Sequence, residues 1–396
     1  MNTTIESHAS VDIFWQNSLT LYRETLLNDI APFWMRHGQD SQFGGISNVL
    51  DEQGKVLSHD KYLWSQGRAL WTFSALYNRV EKRQEWLDFA RHIHDYLLHH
   101  GRDENGKWMY LLDAQGNILE RDSSIYVDGF VLNGLGEYYV ASGNQAALDL
   151  ALDTAGNVAE RLAQHGSYKI APYEIPAAMK THGVAMIFSF FFYNLGEIAD
   201  NAEFKELGLS FADEILHDFY QPDKNTILEF VNSDGSFSDT PAGRTCVPGH
   251  VLEGLWFLIN IFERSGRMEM IPQCCELIQR HLELAWDAEQ GGLILALDMQ
   301  NKNPLYWKQH DCKPWWVQVE ALVATAYAYK YTRADWCIEW HQRIQKFAFS
   351  HYPVANGEWR QWLDHDGNPM ESAALPVKDP FHLPRGLIYL IRLIED

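Results

Sequence analysis

Four short strings carry side chains suited to moving a proton on a carbon next to a carbonyl. R-T-C-V-P-G-H-V-L-E (Arg244 to Glu253) holds His250 and Glu253, and K-D-P-F-H-L-P-R (Lys378 to Arg385) holds His382. K-P-W-W-V-Q-V-E (Lys313 to Glu320) holds Trp316 and Glu320, and K-Y-L-W-S-Q-G-R (Lys61 to Arg68) holds Trp64 and Arg68. Histidine has an ordinary pKa of ~6.5, so one ring can take a proton and another can return it. The enediolate formed in between needs a permanent cation with several donors, which arginine supplies. Glutamates one turn further on can orient the histidines and raise their basicity. Two more strings, S-I-Y-V-D-G (Ser124 to Gly129) and M-K-T-H-G (Met179 to Gly183), add Asp128, Lys180 and His182. Each residue also has an ordinary reading. Arg68 can pair with Glu253 or Glu320, Asp128 can orient a neighbour, and Lys180 can face solvent. Trp64, Trp315 and Trp316 can fill a core.

Spacing argues that these strings converge. The steps between Arg68, Asp128, His182, His250, Trp316 and His382 are 60, 54, 68, 66 and 66 residues. A second pattern has nearly the same period. An apolar stretch, an aspartate and a Gly- or Asn-containing turn recur at Asp51, Asp113, Asp234, Asp298 and Asp364, 62, 121, 64 and 66 residues apart. Each reads as a small β-hairpin. The double interval leaves room for a degenerate copy near Ala171 to Pro176. The chain therefore holds six units of about 63 residues.

The elements that position the strings are helices. Helical periodicity covers 12–36, 61–79, 83–100, 124–142, 144–165, 178–199, 201–219, 245–265, 267–286, 312–331, 333–351 and 381–394. Within each pair one helix is apolar all round and the other is amphipathic, which predicts an inner and an outer helix. The fold expected is all-α: one (α/α)6 barrel over residues 1–396, with short β-hairpins at one end. The inner helices then run the same way, and their first turns meet at one mouth. An open superhelix would need polar capping repeats, and none is seen.

Composition narrows the partners. With 32 basic and 53 acidic residues, the net charge of −21 repels phosphate backbones and anionic lipid, so nucleic acid and membrane are poor partners. No apolar run reaches the ~20 residues of a membrane span. The polar start lacks a secretory signal, and the five cysteines are odd in number and form no C-x-x-C pair, so a cytoplasmic protein with reduced thiols is expected. H-E-x-x-H, G-x-x-x-x-G-K-[ST], G-x-G-x-x-G and G-x-S-x-G are all absent, so neither metal nor cofactor is expected. Aromatics make up 13%, including 15 tryptophans, several of them in the strings above. The partner expected is a neutral small-molecule sugar, with homodimerisation left open.

W-S-Q-G-R-A-L-W (Trp64 to Trp71), P-G-H-V-L-E-G-L-W (Pro248 to Trp256), W-W-V-Q-V-E-A (Trp315 to Ala321) and F-H-L-P-R (Phe381 to Arg385) together resemble the N-acylglucosamine 2-epimerase superfamily along nearly the whole chain. The resemblance implies the same barrel and cofactor-free sugar epimerases or isomerases acting at C1 and C2. It implies that His250 and His382 are catalytic, and that Arg68, Glu253, Trp316 and Glu320 are pocket residues. It also implies a mixed pocket. A histidine at the place of His182 is similar to the mannose and sulfoquinovose isomerases and the cellobiose epimerases, whereas Lys180 is similar to the N-acylglucosamine epimerases. The expectation is C2 proton abstraction by His382 through a cis-enediolate, with His250 opening the ring or reprotonating C2. His182 places mannose–fructose isomerisation first, with His182 holding O1 or O2. N-acylglucosamine 2-epimerisation or another aldose 2-epimerisation is the alternative. An inverting glycoside hydrolase, with Asp128, Glu253 or Glu320 as its carboxylates, and a binding protein without turnover come behind. Gly166 to Met179 is the expected lid.

Overall fold

The structure is a computed structural model that describes residues 2–164, 166–355, 357–370 and 377–395, with side chains from Val11 onward. Residues 1 and 396 of the expected domain, and the last residue of the helix expected at 144–165, fall outside that description. Twelve main helices are present among the described residues. They are α1 (Asn2–Glu24), α2 (Leu63–Arg79), α3 (Gln84–His100), α4 (Ile125–Ser142), α5 (Gln145–Leu162) and α6 (His182–Ile198). The second half holds α7 (Ala202–Glu214), α8 (Pro248–Ser265), α9 (Ile271–Ala285), α10 (Trp315–Thr332), α11 (Asp335–His351) and α12 (His382–Glu395). α1 starts earlier than its apolar periodicity suggests and is prolonged through π turns to Gly38.

Burial sorts the helices as their patterns require. On α3 the buried residues are Trp86, Leu87, Phe89, Ala90, Ile93, His94, Tyr96 and Leu97, the stripe of an outer helix. On α6 nearly every residue from His182 to Gly196 is buried. Helix ends follow local chemistry. The Asn144 and Asn201 side chains cap α5 and α7, and Gly143 and Gly266 end α4 and α8 at positive φ. The even-numbered helices touch in the order α2, α4, α6, α8, α10, α12 and back to α2, which closes the ring. This is an (α/α)6 barrel. At the α2–α4 seam a Cβ on Gly67 would lie 2.7 Å from the Phe130 backbone, and one on Gly134 would lie 2.5 Å from the Gly67 carbonyl. Only glycine permits that approach.

Short strands tie neighbouring units together at the mouth. Two or three residues before α2, α6, α8 and α10 pair with the hairpin of the following unit: Lys61 with Leu112, Lys180 with Val231, Thr245 with Asp298 and Lys313 with Leu363. The degenerate copy is reduced to single bridges, Ser124–Ile170 and Ile170–Tyr173. The last unit reaches the first through Lys378 N–H to the Asn48 carbonyl, 2.9 Å. The repeated aspartates organise the turns: Asp51, Asp113, Asp234, Asp298 and Asp364 each accept a backbone N–H within their own turn. No described helix is long and apolar enough to cross a membrane. All five cysteines are buried and unbridged.

Candidate active site

Below the mouth, the barrel axis is filled by aromatic rings. Phe190 and Phe257 stack at 4.1 Å, and Trp256 packs against Tyr389 at 4.8 Å. Above them is a cavity of about 270 Å³. Its wall is a pattern of helix register. The residues facing it are Trp64 and Arg68 on α2, Tyr126 and Phe130 on α4, and Gly183 and Ile187 on α6. On the other side are His250 and Glu253 on α8, Trp316 on α10 and His382 on α12. Residues three or four apart share a helix face, so α2, α4, α6 and α8 each show the axis one first-turn residue and one a turn below it, whereas α10 and α12 reach the cavity through their first turns alone.

The histidines flank Trp316, whose ring lies 5.4 Å from His250 and 5.6 Å from His382. Each ring is fixed through Nδ1 to a buried carboxylate. His250 is 2.9 Å from Glu229 Oε2, and His382 is 2.8 Å from Glu320 Oε1. That leaves Nε2 of both rings for a ligand. Glu229 also accepts from the Thr181 hydroxyl at 3.1 Å. Glu320 also accepts from the Trp256 indole at 2.9 Å and from Arg385 Nη2 at 2.7 Å. The same Arg385 nitrogen bonds Glu253.

These surroundings push the two histidines apart. Burial disfavours a charge on His250, but Glu229, helped by Glu253 and Glu320, outweighs burial and raises its pKa above the ordinary value. Burial is the largest cause holding His382 well below the ordinary value; Glu253 pulls it up, and the positive charges of Arg68, Arg385 and His250 push it further down. Two histidines whose pKa values are displaced in opposite directions thus face one cavity, an arrangement suited to giving a proton from one group and taking it on the other. Arg68 sits among them, 3.3 Å from Asp379, with its guanidinium against Trp64, Phe130 and Phe381 at 4.6, 4.1 and 4.9 Å. Glu253, Glu320 and His382 hold atoms within 4.8 Å of one another, a spacing a metal ion could use. The guanidinium of Arg385 already bonds both carboxylates of that trio.

The profile of the N-acylglucosamine 2-epimerase (GlcNAc 2-epimerase) family matches residues 44–384. The chain belongs to this family. Within it, the N-acylglucosamine 2-epimerase of Mus musculus is 28% identical over 92% of this chain and 89% of its own. The cellobiose 2-epimerase of Bacillus thermoamylovorans B4167 superposes with a TM-score of 0.83 at 22% identity, over 95% of this chain and 99% of its own. A D-mannose isomerase superposes with a TM-score of 0.80 at 18% identity, over 96% and 97%. The family makes this chain an enzyme of the isomerase class acting on sugars.

Against this family frame, six of the ten residues singled out in the sequence line the cavity: Trp64, Arg68, His250, Glu253, Trp316 and His382. Glu320 stands directly behind His382. The other three stand elsewhere. Asp128 is two residues beyond the inward-facing Tyr126, so it points away from the axis and pairs with Arg161 at 3.3 Å. His182 is one residue short of the inward-facing Gly183. It is wholly buried, and neither ring nitrogen has a protein partner. Lys180 bonds Glu214 at 2.7 Å and also Asp218. The repeat explains Lys180: Lys61 and Lys313 precede their inner helices in the same way, and each pairs with an aspartate, Asp40 at 2.7 Å and Asp287 at 2.8 Å. The partner of Arg68 is Asp379, rather than the Glu253 or Glu320 considered from the sequence.

Three site groups escaped the sequence reading. Glu229 precedes a hairpin strand, outside every inner-helix string, and only the fold brings it to His250. Asp379 and Arg385 lie inside a quoted string but were given no role there. Loops add to the wall. Ile170 to Tyr173, in the expected lid, line the cavity, and the Tyr173 ring lies 5.3 Å from Trp307. The Tyr306 hydroxyl ties that loop down by donating to the Glu174 carbonyl at 2.7 Å.

Proposed function

We propose that this chain is a cofactor-independent sugar 2-epimerase that interconverts N-acylglucosamine and N-acylmannosamine by two-base proton transfer at C2. The observation that carries the reading is the pair His250 and His382: both line one cavity, each is tied through Nδ1 to its own carboxylate, and their pKa values are displaced in opposite directions. An epimerisation must remove the C2 proton from one face and return one to the other, so it needs one neutral and one protonated group at the start. His382, neutral, takes the C2 proton of the open-chain sugar, and the C2–H electrons pass into the enediolate. His250, protonated, delivers its proton to the opposite face of C2. Arg68 offers a fixed cation to the enediolate oxygens. Both histidines then hold the opposite charge state, from which the reverse reaction starts.

Mannose–fructose isomerisation, placed first in the sequence reading, leaned on a hydrogen bond from His182 to O1 or O2. With His182 behind the wall, that support is gone. Hydrolysis finds no support either. Inverting hydrolases space their carboxyls ~6.5–9.5 Å apart for a water. Here Glu253 and Glu320 bond one guanidinium nitrogen between them.

Incubation with N-acetylmannosamine and, separately, mannose in heavy water, read by NMR, tests the proposal. The expected result is N-acetylglucosamine carrying deuterium at C2. Fructose from mannose without any N-acetylglucosamine would replace this reading by isomerisation.

A further inference from the structure

Two guanidinium groups at the site face four carboxylates. Arg68 pairs with Asp379, and Arg385 joins Glu253 to Glu320. Glu229 differs: among the described residues it bonds only Thr181 and His250, and no lysine or arginine reaches it. A proton taken up by the site is most stable where a buried carboxylate has no other cation, which is on His250. The matching ring, His382, hydrogen-bonds a carboxylate oxygen whose charge Arg385 already shares. Both guanidiniums also crowd His382, since each packs on the ring of the preceding Phe381, Arg68 at 4.9 Å and Arg385 at 4.6 Å.

We propose that Arg385, buried behind the wall and outside the cavity lining, is a positioning residue that fixes the resting proton on His250 and keeps His382 as the neutral base. This rests on the two-histidine reading above but concerns protonation rather than turnover. The charged groups around His382 are Glu320 from α10, Glu253 and His250 from α8, Arg68 from α2 and Arg385 from α12. Those around His250 are Glu229 from the hairpin ahead of α8, Glu253 from α8 and Glu320 from α10. His182 of α6 also acts on His250 and Glu229, and it is held neutral by burial. Of these, only Arg385 bonds both carboxylates nearest His382. Removing it leaves Glu320 with His382 as its nearest cation.

Imidazole NMR titration of the whole protein, without substrate, is the test. His250→Gln and His382→Gln spectra assign the two rings. In the wild type His250 is expected to be charged at pH 7 and His382 neutral. In Arg385→Gln, His382 should titrate higher by about one pH unit or more, the effect of one neighbouring charge. In Glu229→Gln, His250 should lose its charge at pH 7, and His382, relieved of that neighbouring charge, should titrate no lower than in the wild type. A charged His382 in the wild type at pH 7 overturns the proposal, even if Arg385→Gln does not fold. So does an unmoved His382 in a folded Arg385→Gln. Because no sugar is present, the proposal can fail while the epimerase reading stands, and the reverse.

Discussion

Replacing Glu229 by Gln removes one negative charge and little else. The Gln carbonyl can still accept from His250 Nδ1, so the ring keeps its orientation and loses its counterion. At roughly 4 Å and an effective dielectric of 20, a unit charge pair is worth about 4 kcal/mol. At 1.36 kcal/mol per pKa unit, that is up to about three units, inside the usual range of ~1–3 for a neighbouring charge. His250 is raised in the folded protein, with Glu229 the largest of the causes that outweigh burial. The substitution therefore moves the alkaline limb of the kcat/KM profile to lower pH. On that limb each unit lost reduces the protonated acid about tenfold. At pH 8 the variant should lose roughly 10- to 1,000-fold in kcat/KM, and the deficit should shrink as the pH is lowered. Stability carries the same sign. A histidine with a raised pKa stabilises the fold fully below its unfolded value of ~6.5 and loses that contribution as pH rises through the folded value. Glu229→Gln should lower Tm more at pH 6 than at pH 9. An unshifted alkaline limb with kcat within about threefold of wild type would refute the assignment of His250 as the acid.

Other substitutions separate site from scaffold. Gly249→Ala would put a Cβ 2.3 Å from the Trp316 ring and 2.7 Å from Val317, so Trp316 must move. Overpacking of this kind costs ~1–3 kcal/mol, and KM should rise about tenfold with the fold retained. Asp128→Asn should do the opposite. It weakens the tie to Arg161 and should lower Tm, while kcat and KM for either sugar stay within about threefold; a kcat loss beyond tenfold would return Asp128 to the site. Low pH should unfold the protein through its buried histidines. His182 and His281 are held down at about 4, and His341 at about 3, chiefly by burial. The unfolded chain takes up these protons first, so stability should fall as pH drops from ~6.5 towards 4. Each of the first two contributes a loss of up to about 3 kcal/mol. His341→Gln, measured by pH-dependent thermal melts, should flatten this acid slope.

Six repeats, the pairing of inner and outer helices and the hairpin turns were legible because each is a local pattern. Apolar periodicity, Asx turns and glycines at positive φ need no distant partner. The mouth strings were legible for the same reason. What the spacing did not encode was rotation. Aligning residues by chemical type set Arg68, Asp128, His182, His250, Trp316 and His382 in one series. The inward-facing series is Trp64, Tyr126, Gly183, His250, Trp316 and His382, with steps of 62, 57, 67, 66 and 66. One residue of slip turns a helical side chain by 100°, and that takes His182 off the axis. A slip of two takes Asp128 to Arg161. Lys180 was misplaced because its counterparts Lys61 and Lys313 were not set beside it. Glu229 could not be found by periodicity, since it lies in the hairpin ahead of α8, outside the inner-helix strings that the repeat aligns.

The register also divides the barrel. α2, α4 and α6 present Trp64, Arg68, Tyr126, Phe130, Gly183 and Ile187, a wall that is apolar apart from Arg68 and the Tyr126 hydroxyl. α8, α10 and α12 present the two histidines with Trp316 between them. The ring centroids are therefore at most 11.0 Å apart, the sum of 5.4 and 5.6 Å through Trp316. Two nitrogens that both reach one C2 must each come within ~3–3.5 Å of it, which fits inside that bound. If each histidine serves one face of C2, removing one should leave chemistry at the other. His250→Gln should still exchange the C2 proton of one epimer with solvent deuterium through His382, while forming the other epimer at least 100-fold more slowly. His382→Gln should exchange the opposite epimer. NMR washout of the C2 proton from each pure epimer reads this directly. If His382→Gln abolishes exchange from both epimers while His250→Gln leaves exchange from both, one base serves both faces, and the two-base epimerase gives way to a one-base isomerase.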